Sequence, residues 1–141
     1  MIDLVIHTDG ASRGNPGQAS IGAVIANGQG RVLKEVSEYI GIATNNVAEY
    51  TAILRALEEA QKLIPENERE TTFVELKLDS QLAARQLEGT YKVKNKNLYA
   101  LYMKIHNMRV ELFPHLTITH VRREFNVHAD ALANRALDER F

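Results

Sequence analysis

Four acidic residues carry the chemistry this sequence can do: Asp9 in His7-Thr8-Asp9-Gly10, Glu49 three residues after Asn46, Asp79 in Leu78-Asp79-Ser80, and Asp130 in Ala129-Asp130-Ala131. Each has a structural explanation by itself. Asp9 suits an Asx-turn at the end of a strand. Glu49 stands at capping-box spacing from Asn46. Asp79 precedes a helical stretch and suits its N-cap, and Asp130 falls in a first helical turn, where the helix dipole favours an acid. Their joint placement says more, because two of them end strands and two open helices, and such elements converge at one edge of a mixed sheet. Four converging carboxylates repel one another and require compensating cations. Oxygen-only ligands favour Mg²⁺ or Mn²⁺, and two such ions about 3.5–4 Å apart stabilise the attacking and leaving oxygens of an in-line phosphoryl displacement. Phosphodiester hydrolysis is the chemistry implied.

The elements that must position these acids follow from periodicity. Ile2, Leu4 and Ile6 alternate with polar or outward positions, as a strand ending near Asp9 does. Residues 10–17 (GASRGNPG) are turn-rich. Residues 19–27 give a second strand, Asn27-Gly28-Gln29-Gly30 a hairpin turn, and residues 31–42 a third strand. The period then changes to three and four at Val47, Tyr50, Ile53, Leu54, Leu57 and Leu63, an amphipathic helix that stops before Pro65. A strand from Phe73 to Asp79 follows, then a short helix stopped by Gly89, a helix marked by Leu98, Leu101, Tyr102, Ile105 and Met108, a strand around Leu116, Ile118 and Val121, and a helix over 127–139. The order β-β-β-α-β-α-α-β-α predicts an α/β fold: a five-stranded mixed sheet, three antiparallel strands then two parallel, flanked by helices.

Length and composition fit this frame. A chain of 141 residues with 45% hydrophobic and 25% charged residues reads as one domain over 1–141. No apolar run has the length of a membrane span, and the first residues carry no leader pattern, so no membrane partner is expected. With no cysteine, disulfides and thiol catalysis are excluded and the cytoplasm is the expected location. The five histidines show no close pair at zinc-ligand spacing. Net charge is −1, yet setting four acids aside leaves the rest positive, with local clusters at Lys92, Lys94 and Lys96 and at Arg122 and Arg123. That distribution suits a binder that places cations along a phosphate path.

Four stretches in this order carry a family resemblance: Thr8-Asp9-Gly10 with Asn15-Pro16-Gly17; Thr44-Asn45-Asn46 with Glu49; Asp79-Ser80-Gln81; and Asn126 with Ala129-Asp130 and Leu132-Ala133. Across nearly its whole length the sequence resembles type 1 ribonuclease H. The resemblance implies a ribonuclease H-like fold and an endonuclease that cuts the RNA strand of RNA–DNA hybrids, using metal-activated water and leaving 5′-phosphate and 3′-hydroxyl ends. It implies that Asp9, Glu49, Asp79 and Asp130 are both the catalytic and the metal-binding acids. Asp9 and Asp79 would touch both ions or their bridging water, Glu49 one site and Asp130 the other. Gly10, Ala11 and Asn15 would read ribose 2′-hydroxyls in the minor groove. Thr44, Asn46 and Gln81 would contact the hybrid, Thr44 through a DNA phosphate, and a monomer is expected.

Two departures stand out. The long basic insertion many bacterial members carry after the third acid is reduced to residues 89–96, so the chain resembles the handle-less branch, with Lys94 and Asn95 as candidate backbone contacts. The loop that carries a histidine before the last acid is replaced by Arg122-Arg123-Glu124-Phe125-Asn126, making Arg122 and Arg123 candidates to hold a phosphate, since a guanidinium does not act as a base near neutral pH. His120 and His128 are expected to pack or to lie at an edge rather than to catalyse. Two other readings share these residues: a hybrid-binding module without catalysis, and a nuclease of this fold acting on another duplex.

Overall fold

Leu4 and Ile6 point to one side of the first strand and Val5 and His7 to the other, and this alternation fixes which helices cover which face. A computed structural model describes residues 2–140. Met1 and Phe141 lie outside the described residues, and with them Met1's share of the strand reading over residues 1–9. The elements run β1 (Leu4–Gly14), β2 (Gly17–Asn27), β3 (Val32–Ala43), α1 (Asn45–Leu63), β4 (Phe73–Leu78), α2 (Gln81–Leu87), α3 (Tyr99–Leu112), β5 (His115–His120) and α4 (Val127–Asp138), with short 3₁₀ turns at Glu66–Glu68, Lys96–Leu98 and Arg123–Phe125. The sheet order is β3-β2-β1-β4-β5. The pairs β1–β2 and β2–β3 are antiparallel, and β1–β4 and β4–β5 are parallel. This is the mixed sheet that the element order predicts.

One face of the sheet presents Leu4, Ile6, Ile21, Ile25, Val74 and Leu76 to Tyr50, Ile53 and Leu57 of α1 and to Ile105 of α3, all buried. The opposite face is covered by α4, whose Ala129, Leu132, Ala133 and Leu137 are buried against β2, β1 and β3. Among the described residues no helix is long and apolar enough to cross a membrane.

Some boundaries shift by a residue or two, with β5 ending at His120 short of Val121, and one differs more. Residues 10–14 do not turn; they extend β1 in register with β2 as far as Gly14 opposite Gly17. Small residues there look like a loop in sequence, but Gly10 is small because a helix rests on it, the use of strand glycine where another backbone approaches closely. The turn proper is confined to Gly14–Gly17, with Gly14 at φ 111°. At the other end of β2, the Asn27 side chain accepts the amides of Gln29 and Arg31, and Gly30 takes φ 88°, so the hairpin forms where the sequence places it.

Candidate active site

Asp9 lies within β1, paired across to Gly22 of β2, so it opens no turn. Two glycines let two helices reach it. A Cβ on Gly10 would lie 2.4 Å from the carbonyl carbon of Ala48 and 2.5 Å from the nitrogen of Glu49, so the first turns of α1 sit on bare backbone. A Cβ on Gly22 would lie 2.1 Å from the Ala129 oxygen and 2.6 Å from the Ala133 nitrogen, so α4 docks the same way from the other face. Glu49 follows Ala48 and Asp130 follows Ala129, so both close approaches deliver an acid beside Asp9. Asp79 arrives by register: β4 runs parallel to β1 with Leu78 opposite Thr8, so the residue that follows each strand position comes to the same end.

The structural explanations for Glu49 and Asp79 fall away as well. Thr44, not Asn46, caps α1, its hydroxyl accepting the Val47 amide at 3.2 Å. Glu49 is then too far into the helix for a capping box. Ser80, not Asp79, caps α2, accepting the Ala83 amide at 3.1 Å. Asp130 keeps a local partner, since the Asn134 side chain donates to its carbonyl and, at 3.3 Å, to its carboxylate.

Ligand oxygens of Asp9, Glu49 and Asp79 lie within 4.8 Å of one another. Asp130 stands outside that trio but lines the same cleft of about 660 Å³, and its carboxyl faces that of Asp9. Burial above all, then the charges of Glu49 and Asp79, and then Asp130, hold the Asp9 carboxyl far above the usual carboxylate range. Burial also leads in raising Glu49, followed by Asp79, while the Gly10 amide and Arg123 pull the other way. One Glu49 oxygen, Oε2, is buried without a hydrogen-bond partner. Among the described residues lining the cleft, Arg123 is the single cation. A carboxylate-only donor set with an unpartnered buried oxygen and too little positive charge fits hard divalent cations.

Asn126 holds this arrangement together. It is buried, and its side-chain nitrogen donates to the Thr8 carbonyl at 2.9 Å and to an Asp79 carboxylate oxygen at 3.3 Å. Having bonded there, it makes no side-chain cap for α4. In sequence the residue reads as part of a motif without a role, because an asparagine before a helix usually signals a cap.

The candidate substrate contacts spread from the same cleft. Gly10, Ala11, Asn46 and Arg123 line it. Asn15 ties the β1–β2 turn to the start of α1 by accepting the Asn45 amide at 3.0 Å, and Ser12 donates to the Ala43 carbonyl at 2.9 Å. Thr44 caps the adjoining helix, and Gln81 is exposed beside Ser80. Lys94 and Asn95 lie in a neighbouring cleft of about 600 Å³ that shares Asn46 with the first. Arg122 is turned elsewhere, pairing with Glu124 at 3.3 Å and lying over the Phe125 ring. His120 contacts the Asp79 carbonyl from the edge strand at 3.2 Å, and His128 pairs with Glu35 of β3.

The family model described as "Reverse transcriptase-like" matches residues 7–136. Ribonuclease HI of Halobacterium salinarum is 42% identical over 131 residues, covering 93% of this chain; the chain spans only 62% of that protein's length. Ribonuclease H of Chlorobaculum parvum is 32% identical over 151 residues, covering 96% of each protein. Among solved structures, LC11-RNase H1, isolated from compost, superposes with TM-score 0.92 at 45% identity over 99% of this chain and 98% of that one. The same protein has been solved in complex with an RNA/DNA hybrid (TM-score 0.88, 45% identity, 96% of this chain and 97% of that one).

Proposed function

Because this chain belongs to the type 1 ribonuclease H family, we propose that it is an endoribonuclease that hydrolyses the RNA strand of RNA–DNA hybrids, leaving 5′-phosphate and 3′-hydroxyl ends. The observation that carries this reading is the trio Asp9, Glu49 and Asp79, converging and under-compensated at one end of the sheet. Asp9, Glu49, Asp79 and Asp130 would together hold two Mg²⁺ or Mn²⁺ ions. Bound there, the ions would activate water and stabilise the leaving oxygen of the scissile phosphate.

The protein's own groups do the rest. Gly10 and Ala11, which line the acidic cleft, would meet ribose 2′-hydroxyls of a strand there, with Asn15 bracing the turn that follows their strand. Asn46, shared with the neighbouring cleft that holds Lys94 and Asn95, would contact the second strand together with those residues and with Thr44 and Gln81. Arg123 supplies a cation for a phosphate near the acids, and Arg122, paired with Glu124, a weaker one. In this reading residues 1–141 act as one ribonuclease H domain, a cytoplasmic monomer.

The test is a substrate panel: labelled RNA–DNA hybrid, duplex RNA, duplex DNA and single-stranded RNA, each with Mg²⁺ and with Mn²⁺. Cleavage of the hybrid's RNA strand to 5′-phosphate products is expected. Saturable hybrid binding without cleavage in either metal would replace the enzyme with a binding module, and preference for another duplex would reassign the substrate.

A further inference from the structure

The acidic cleft and the basic segment after α2 belong to different elements, yet a single buried side chain joins them. Gln86 of α2 is 5% exposed. Its Oε1 accepts a hydrogen bond from the Tyr50 hydroxyl at 2.6 Å, and its Nε2 donates to the Lys92 carbonyl at 3.2 Å. The orientation of the amide follows from chemistry, since the carbonyl can only accept; Nε2 must face it, leaving Oε1 for the phenol.

Tyr50 follows Glu49 in α1. One rigid helix therefore presents Glu49 to the acidic cluster and, one residue on, anchors the bridge to the basic segment. That segment has no regular structure to hold it. Gly89 at φ 85° ends α2, the Thr90 and Tyr91 amides return to the Arg85 carbonyl, and the Asn95 side chain caps the next turn. Between these two ends, Val93 packs against the core with Lys92 and Lys94 exposed on either side, and Gln86 is the side chain bonded to that stretch's backbone. A buried amide satisfied at both ends is a stiff strut, because breaking either bond leaves a polar group unpaired.

We propose that Gln86, acting through the Lys92 carbonyl and braced by Tyr50, is a positioning residue that sets the distance between the acidic cluster and the lysines that meet the second strand of the duplex. The proposal rests on the hybrid-cleaving function above. Loss of the strut loosens where the lysines stand but leaves the acids in place, so it raises KM for the hybrid and spares kcat.

Steady-state cleavage of hybrid by wild type, Gln86→Met, Tyr50→Phe and the double variant tests this, each also combined with Lys94→Ala, alongside melting curves. Gln86→Met is expected to raise KM about threefold to tenfold with kcat within about twofold, and Tyr50→Phe to raise it about twofold. The double variant should be no worse than Gln86→Met alone. Lys94→Ala should raise KM less in the Gln86→Met background than in wild type, a coupling that generalised loss of stability does not produce. Unchanged KM in Gln86→Met, additive Lys94→Ala effects, or a fall confined to kcat would overturn the positioning role while hybrid cleavage by wild type keeps the broader function intact. Absence of cleavage by wild type would overturn both. Should Gln86→Met fail to fold, the Tyr50→Phe and Lys94→Ala cycle decides by the same coupling.

Discussion

Gly22 bears no functional group, yet substituting alanine there should cripple the site. The added Cβ would lie 2.1 Å from the Ala129 oxygen, 2.6 Å from the Ala133 nitrogen and 3.0 Å from the Leu132 Cβ. Ordinary contact needs roughly 3.5 Å, so the helix must retreat by about 1 Å, and the two nearest obstacles are backbone atoms that no rotamer change removes. Overpacking of this kind costs about 1–3 kcal/mol. The retreat also strains the bonds from Ser20 to the Ala133 carbonyl and from Ser37 to the Leu132 carbonyl, which tether α4 to β2 and β3. Asp130 moves with Ala129, away from Asp9 and the trio. A misplacement near 1 Å in a catalytic constellation costs about 10²-fold. Gly22→Ala should therefore lose about two orders of magnitude in kcat on hybrid, need more Mg²⁺ for half-maximal rate, and melt lower while remaining folded by circular dichroism. A variant with kcat within about twofold of wild type and unchanged metal dependence would refute the argument that α4 contact sets Asp130.

Further outcomes are expected. Asp9→Asn should abolish cleavage and yet raise the melting temperature of the metal-free protein, worth about 1–3 kcal/mol, since it removes a buried group whose ionisation is opposed. The sign carries over to pH. Asp9 and Glu49 are held above their ordinary range, so the metal-free wild type should lose stability as pH climbs above about 4 toward the raised values. Metal binding should then release protons and tighten with pH, which calorimetry in buffers of different ionisation enthalpy measures. Arg123→Ala should weaken hybrid binding and lower the salt slope by about one, with Arg122→Ala doing less; equal slopes for wild type and Arg123→Ala would remove the phosphate contact. Arg55 pairs with Glu38 at 2.9 Å and with Glu58 and Glu59, clamping α1 to β3. Hydrogen bonds from Arg55 and Lys62 lower Glu38 and Glu59 respectively, so Arg55→Met should cost about 1 kcal/mol at neutral pH. That cost should fade as pH falls through the depressed values, and equal destabilisation at pH 3 and 7 in denaturant titrations would contradict it.

Strand and helix order was legible because the hydrophobic period switches from two to about three and a half at Val47 and back at Phe73. The acids were legible as a set from their order along the chain, although Asp9 lies in the middle of β1 and Glu49 a turn into α1 rather than at the ends of those elements. What stayed hidden was the reason for each local choice. Thr44 and Asn46 are both good caps, and only the backbone path decides that Thr44 takes the role and leaves Asn46 for the cleft. Gly10 belongs to a strand because a helix sits on it, a tertiary fact that a turn-like composition conceals. Asn126 and Gln86 bond across the fold to groups 118 and 6 residues away and to Tyr50, and no periodicity announces such partners.

The acids come from elements far apart in the sequence: Asp9 lies on the central strand β1 and Asp130 on α4, which follows it. During synthesis, which adds about 5–20 residues per second, the amino-terminal hairpin and α1 emerge well ahead of Ala129 and Asp130. A ribosome-bound chain lacking α4 leaves Gly22 uncovered and carries three acids without the fourth. A site divided in this way is complete only once α4 has emerged and closed over β2.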